Sequence, residues 1–289
     1  MADSLSVLIL TAGFGDGHNS AARNLAGAIS DGPQGGTTVQ VVDLFDDAAP
    51  VTGAFYKWVY RQMINHLPGL WEWLFHCTKS EDFRCLWWDR FVGIRQALEH
   101  RLREHRPAVV ILTYPVYPYF FETLSAEVPR PQAIWMAVTD SITIHPIWLK
   151  GQVDRIYVTD EASRKIVETE LRFPVPVEVS GFPVAPCFAG FADRPPVADP
   201  ARLRVLYFAT TAVRHVRPTL KGLLRDLPKG AELTVVMGRH EARLSVEVED
   251  IRQAFPWVCV RMVGWTRKVP ELLMLHDVVV SKAGGATVH

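Results

Sequence analysis

His18 stands at the end of a run of alternate glycines, Gly13, Gly15 and Gly17, and is followed by Asn19 and Ser20. An apolar segment, Leu5 to Leu10, precedes the run and reads as a buried strand. An Ala/Leu-rich amphipathic segment follows it to Ile29 and reads as a helix. Strand, glycine loop and helix make a place where something can bind. Glycine lets the backbone turn tightly and be approached closely, and the helix start presents unpaired N–H groups and partial positive charge. An imidazole set there can accept a proton near neutral pH. A tight turn with His18 as a capping side chain fits the same residues, and the spacing is not the dinucleotide pattern Gly-x-Gly-x-x-Gly. Two further candidates are Asp140, after a strand-like run, and His145, just before Pro146. Read alone, these two suit a turn or cap and a loop histidine. A second glycine-marked turn, Lys282-Ala-Gly-Gly-Ala-Thr287, lies at the far end of the chain.

Alternating strands and helices must position these groups. Strands are expected at Thr38–Val42, with Asp43 at the carboxyl end, and at Ala108–Leu112, Ala133–Val138, Asp154–Val158 and Val177–Ser180. Helices are expected at Gly93–His105 and at Thr159–Leu171, the latter capped by Thr159 or Asp160. Tyr114 to Pro118 reads as a rigid loop. Buried β-branched strands separated by helices imply a parallel sheet, whose ligands collect at the carboxyl ends of the strands. Four loops are thus expected to converge: Gly13–His18, Tyr114–Pro118, Thr139–His145 and Gly181–Pro183. The proline-rich stretch Phe191–Pro200 reads as a linker. A second α/β series follows, with strands at Leu203–Ala209, Glu232–Met237, Val258–Val263 and Asp277–Ser281, and helices at Arg217–Leu227, Glu241–Phe255 and Val269–Leu275. Only the first turn of a helix expected at Gly284–Thr287 precedes His289, so the chain is expected to end inside its second domain and to be inactive in this form.

Composition narrows the class. The 289 residues are 48% hydrophobic and 21% charged, with no formal net charge, enough for a full core and against attachment to nucleic acid by bulk charge. No apolar stretch approaches the ~20 residues that span a bilayer, and the first residues lack the basic and apolar regions of a signal peptide. The four cysteines, Cys77, Cys85, Cys187 and Cys259, suit neither a zinc site nor a disulfide framework and are expected to be buried free thiols. A cytoplasmic protein, peripheral on the inner face of a membrane, is the expectation. Val51–Phe91 carries five of the nine tryptophans (Trp58, Trp71, Trp73, Trp87, Trp88) among Lys57, Arg61, Lys79, Arg84 and Arg90. Such a mixture suits a headgroup interface, anionic lipids included, or a helical insertion that packs its rings inward.

Four motifs, in order along nearly the whole chain, resemble one family. Leu10-Thr-Ala-Gly-Phe-Gly-Asp-Gly-His-Asn-Ser-Ala-Ala22 resembles the amino-terminal signature of the monogalactosyldiacylglycerol synthases and the bacterial diacylglycerol glucosyltransferases. Val138-Thr-Asp140…His145-Pro-Ile-Trp148 resembles their Thr-Asp…His-Pro-x-Trp loop, Gly181-Phe-Pro-Val184 their Gly-(Ile/Phe)-Pro-Val turn, and Asp277 to Thr287 their donor-site Lys-x-Gly-Gly-x-Thr. The resemblance implies an α/β fold of the GT-B kind, with two Rossmann-like doubly wound domains. Residues 1–196 would bind the acceptor, and residues 197–289 would be part of a nucleotide-sugar domain. It implies an inverting transfer of hexose from a UDP-sugar to a lipid acceptor, diacylglycerol, at a membrane surface, with no cofactor and no metal at the reacting centre.

On that reading His18, Asp140 and His145 are the catalytic candidates, with His18 the general base. Gly13, Gly15, Gly17, Asn19, Tyr114 and Pro115 line the acceptor side. Gly284 and Gly285 would cradle the diphosphate on backbone N–H groups, with Thr287 adding a hydroxyl and Lys282 beside them. Gly264, Trp265 and Val269 lie where relatives contact uracil. The segment Tyr207–His215 lacks the glycines usual in the family and offers Thr210 and Thr211 instead. Because of that departure a non-catalytic relative that binds nucleotide sugar or lipid remains an alternative, as does a same-fold transferase or epimerase acting on a soluble molecule.

Overall fold

The computed structural model describes residues 5–32, 36–48, 50–67, 69–70, 91–141, 143–191, 202–210, 213–238 and 240–282. They divide into two compact units, one ending at Pro186 and one beginning at Cys187. Most of the expected linker lies outside the described residues, as do Trp71, Trp73, Trp87 and Trp88, Cys77 and Cys85, and the turn from Ala283 onward.

The first unit is built on a six-stranded parallel sheet: β1 Ser6–Thr11, β2 Thr38–Asp43, β3 Val109–Leu112, β4 Ala133–Ala137, β5 Arg155–Val158 and β6 Val177–Val179. The strands lie in the order β2-β1-β3-β4-β5-β6. The helices are α1 Asp16–Ser30, α2 Leu44–Ala48, α3 Pro50–His66, α4 Val92–His105, α5 Tyr117–Glu122 and α6 Glu161–Glu170. Side chains alternate across a strand, and β1 shows how that builds the layers. Val7 and Ile9 pack with Ala22, Leu25, Ala26 and Ile29 of α1. Leu8 and Leu10 join the opposite core, with Leu44 of α2, Leu98 and Leu102 of α4, and Phe120 of α5. The chain leaves β1 toward β2, then returns to lay β3 on the other side of β1. The carboxyl ends of β1 and β3 therefore flank the topological switch point, where such sheets hold their ligands.

One local expectation changes. The segment after β3 does not stay a loop, because α5 begins at Tyr117 with Pro118 in its first turn, where a missing N–H costs nothing. Its aromatic side chains, from Tyr117 to Phe121, are buried. Helix α3 sits hard against α2, since a Cβ at Gly53 would collide with the Phe45 carbonyl.

The second unit has β7 Arg204–Phe208, β8 Glu232–Gly238, β9 Cys259–Gly264 and β10 Val278–Val280, in the parallel order β10-β7-β8-β9. Its helices are α7 Val213–Asp226, α8 Glu241–Ala254 and α9 Val269–Met274. Val205, Tyr207 and Ala209 pack under Val216, Leu220 and Leu224 of α7 and Leu244, Val248 and Ile251 of α8. Helix α7 starts four residues before the expected Arg217. Pro218 thus falls inside it and costs one backbone hydrogen bond rather than marking the helix start. The switch point here lies between β7 and β10. Cys187 and Cys259 are exposed thiols, against the expectation of burial: Cys187 is on a short 3-10 segment, and Cys259 opens β9 with its side chain outward.

Candidate active site

The glycine loop joins β1 to α1 at the switch point of the first unit, and His18 is the third residue of α1. Its glycines do not serve the turn in the expected way. None of the three takes a positive φ, and the helix cap, Gly15, is extended with no side-chain capping bond. Gly13 is needed for proximity, because a Cβ there would press on the Lys57 ammonium, the Asn19 amide and the Asp43 carboxylate at 3.0–3.1 Å. Gly15 and Gly17 face open space, as a surface left clear for a ligand would.

Three of the four expected loops meet at His18. Nδ1 of its imidazole lies 2.8 Å from Thr139 Oγ1, after β4. The ring meets Tyr114, after β3, edge-on at 5.2 Å between centroids, and tilts against Trp148 at 6.0 Å. Burial lowers the His18 pKa below its usual value, partly offset by the Asp140 carboxylate and by a hydrogen bond to the Thr113 backbone. The imidazole is therefore neutral at pH 7, with an anion at hand to favour the protonated form once a proton arrives.

Asp140 is oriented by its neighbour in the loop: Trp148 Nε1–H donates to its Oδ2 at 2.7 Å. Trp148 is fully buried, in the short 3-10 turn Pro146–Leu149. That turn is capped by His145, whose Nδ1 accepts from the Ile147 N–H at 3.1 Å. His145 is thus buried and caps this turn. The loop is tied down at its other side by Asp160, the N-cap of α6, which accepts from the Ser141 hydroxyl (2.6 Å) as well as the Ser163 N–H (2.7 Å). These hydroxyl and amide donors hold its carboxyl well below the usual carboxylate range.

Asn19 and Tyr114 lie in the same cluster. Asn19 Oδ1 accepts from Thr11 Oγ1 at 2.9 Å. Tyr114 stacks on Phe14 at 5.5 Å, and burial, with Tyr60 and Asp43 nearby, holds its phenol far above its usual range and so protonated. Pro115, next in the chain, is buried. The fourth loop is fixed farther along α1, where Asn24 Nδ2 donates to the Pro183 carbonyl at 2.8 Å.

Reading the sequence did not find Asp43 and Lys57 as site residues. Asp43 Oδ2 accepts from the Gly13 N–H at 2.7 Å and from Lys57 Nζ at 2.6 Å, and Oδ1 accepts from the Phe45 N–H at 3.0 Å. Lys57 also reaches Asp46 Oδ1 at 2.7 Å. Its side chain is 8% exposed, so this lysine does not belong to a headgroup-facing row. Removing one member of such a buried pair typically costs about 3–5 kcal/mol. The available signal was Asp43 at the carboxyl end of an edge strand beside the glycine loop. Phe55 and Trp58, on the same helix, are 56% and 55% exposed and stack on each other at 6.1 Å.

In the second unit, Thr210 lies at the carboxyl end of β7, exposed, its N–H bonded to the Phe208 carbonyl at 2.8 Å. Lys282 is exposed after β10. Gly264 ends β9, with the Glu241 carboxylate where a Cβ would stand. Trp265 is 56% exposed, with the Arg267 guanidinium 5.6 Å from its ring centre, and Val269 opens α9. Thr211, Gly284, Gly285 and Thr287 lie outside the described residues. Among the described residues no three His, Cys, Asp or Glu side chains gather to hold a metal ion, and no helix is long and apolar enough to cross a membrane. A shallow cleft of about 330 Å³, lined in part by Phe121, Arg130 and Asp154, opens at the opposite end of the first sheet from His18.

Solved structures share this architecture at low identity. MurG of Acinetobacter baumannii aligns over 98% of this chain and 73% of its own, with TM-score 0.53 and 11% identity. A Glycyrrhiza uralensis UGT73P12 complex aligns over 98% and 74%, with TM-score 0.52 and 14% identity. The fold is α/β, of the GT-B class. Among curated proteins, the processive diacylglycerol beta-glucosyltransferase of Bacillus pumilus is 24% identical over 97% of this chain and 73% of its own length. That of Bacillus thuringiensis is 25% identical over 97% and 72%. The family model for monogalactosyldiacylglycerol (MGDG) synthase matches residues 18–184, which begin at the imidazole and run through the loops after β3, β4 and β6: the chain belongs to the monogalactosyldiacylglycerol synthase family.

Proposed function

We propose that this chain transfers a hexose from a UDP-sugar to a lipid alcohol, diacylglycerol, with inversion at the anomeric carbon and without a metal at the reacting centre. The observation that carries the proposal is the placement of the His18 imidazole at the switch point of the first sheet, held by Thr139, where burial lowers its pKa and the Asp140 carboxylate partly offsets that. The acceptor oxygen attacks the anomeric carbon while the imidazole takes its proton. The bond from that carbon to the diphosphate oxygen breaks, and its electron pair leaves on UDP. Asp140, oriented by Trp148, favours the imidazolium so formed. His145 acts by shaping the loop that carries Asp140. Residues 1–196 form the acceptor domain, and the donor side falls to residues 197–289. There Thr210, Thr211, Lys282, Gly284, Gly285 and Thr287 meet the diphosphate, which backbone N–H groups can hold without a cation, and Gly264, Trp265 and Val269 meet the uracil. The names of the Bacillus relatives support diacylglycerol as acceptor.

The exposed Phe55–Trp58 pair supports peripheral attachment to a cytoplasmic membrane surface, anionic lipids included. Incubating the intact protein with radiolabelled UDP-glucose or UDP-galactose and diacylglycerol vesicles tests the reading. Labelled glycolipid of inverted configuration, formed also in EDTA, is expected. UDP-sugar binding without product would make the chain a non-catalytic relative, and product only with water-soluble alcohols would replace the acceptor. Phe55→Ser with Trp58→Ser should lower sedimentation with anionic vesicles.

A further inference from the structure

We propose that Lys57 is a positioning residue for His18, acting through Asp43 on the glycine loop; this rests on the reading of His18 as the base. The geometry forms a chain of contacts. Lys57 Nζ lies 2.6 Å from Asp43 Oδ2, and the same oxygen accepts from the Gly13 N–H at 2.7 Å. Gly13 begins the three-residue bend that delivers the chain to Asp16, the first residue of α1, and His18 follows one half-turn later. The fit leaves no slack, since even a methyl group at Gly13 would touch the ammonium, the carboxylate and Asn19 together. Asp43 alone could hold the loop, but a partly buried carboxylate beside Asp46 needs a counter-charge, and Lys57 supplies it to both. One turn on, Tyr60 of the same helix meets the Phe14 ring at 5.3 Å, so α3 supports the loop at two points. Displacement of the imidazole by ~1 Å is enough to cost about 10²-fold in rate.

The test compares Lys57→Met and Gly13→Ala with the wild type in the intact protein. The first removes the charge; the second keeps it and wedges the clamp open. Two readouts are taken, transfer kinetics and the titration of the His18 ring Cε1–H by NMR, assigned with His18→Gln. Asp140, Tyr114, Thr139, Trp148 and the Thr113 backbone act on the ring, and neither variant substitutes any of them. In Lys57→Met, kcat should fall about 10²-fold with the KM for UDP-sugar within about twofold. The His18 midpoint should rise toward the ordinary value of about 6.5 as the loop lifts and water enters. Gly13→Ala should move both readouts in the same direction by less, and it decides the matter should Lys57→Met fail to fold. An unchanged His18 midpoint in whichever of the two folds, or a loss confined to KM, overturns the proposal. A wild-type protein that transfers no sugar overturns the function proposed above, while the titration still decides what Lys57 does.

Discussion

The two units repeat one design, a parallel sheet with a switch point beside its first strand, yet they equip that place in opposite ways. Around the carboxyl ends of β1, β2, β3 and β4 the side chains are packed and cross-linked: His18 on Thr139, Asp140 on Trp148, Gly13 on Asp43, and a stack of aromatic rings behind them. At the corresponding ends of β7 and β10 the described residues Thr210 and Lys282 are exposed. The contrast follows from what each place is proposed to do. Taking a proton from an alcohol needs a particular atom held in a particular direction, and only a buried network of side chains can fix it. Gripping a diphosphate needs backbone N–H groups and positive charge, which a helix start can offer with few side-chain contacts of its own.

The largest effect that sharpens this contrast is expected from His18→Ala, which should lower kcat by about 10²–10⁴-fold and change UDP affinity little, as measured by calorimetry. An equal loss of both would make His18 a structural residue and erase the division of labour. In the wild type, kcat should fall as pH drops through the His18 pKa, below the usual histidine value, because protonation removes the base. The same shift links to stability. The unfolded chain binds that proton more readily, so the contribution of the neutral imidazole is complete above about pH 6.5 and is lost as pH falls toward the lower folded pKa.

Asp140→Asn should cost less than removal of the base and should lower the His18 midpoint further, since it deletes the charge that raises it while leaving an acceptor for Trp148; a raised midpoint would contradict the placement. On the other unit, Trp265→Ala should raise the KM for UDP-sugar a few-fold, roughly the 1 kcal/mol scale of an exposed ring contact, with kcat unchanged. A fall in kcat alone would move Trp265 out of the donor site. The smallest effect is expected from Asp160→Ala, about 1 kcal/mol of stability for a lost helix cap, read by thermal unfolding, with a modest drop in kcat because Ser141 and the Asp140 loop lose their anchor.

Much of this was written in the sequence. β-branched runs, glycine punctuation and 3.6-residue periodicity are local signals, and they placed the strands of both sheets and the loops that flank the first switch point. The helix cap at Asp160 was readable for the same reason, since an Asp three residues before Ser163 can reach its N–H whatever the rest of the chain does. The motif around His18 was enough to single out that imidazole. What the sequence could not decide was anything set by contacts between distant segments. Asp43 and Lys57 meet the glycine loop across 30 and 44 positions; the pairing of β2 with β1 brings the first there and the packing of α3 the second. His145 was a candidate beside Asp140, and only the fold shows that its ring also caps the turn Pro146–Leu149. Lys57 looked like one more lysine on an aromatic, basic surface, whereas the close seat of α3 on α2 turned it inward between two carboxylates. Composition and period set which faces are buried, because burial follows from side-chain polarity along one segment. Which charge meets which is settled by the assembled sheet, because electrostatic partners are chosen by distance in space and not along the chain.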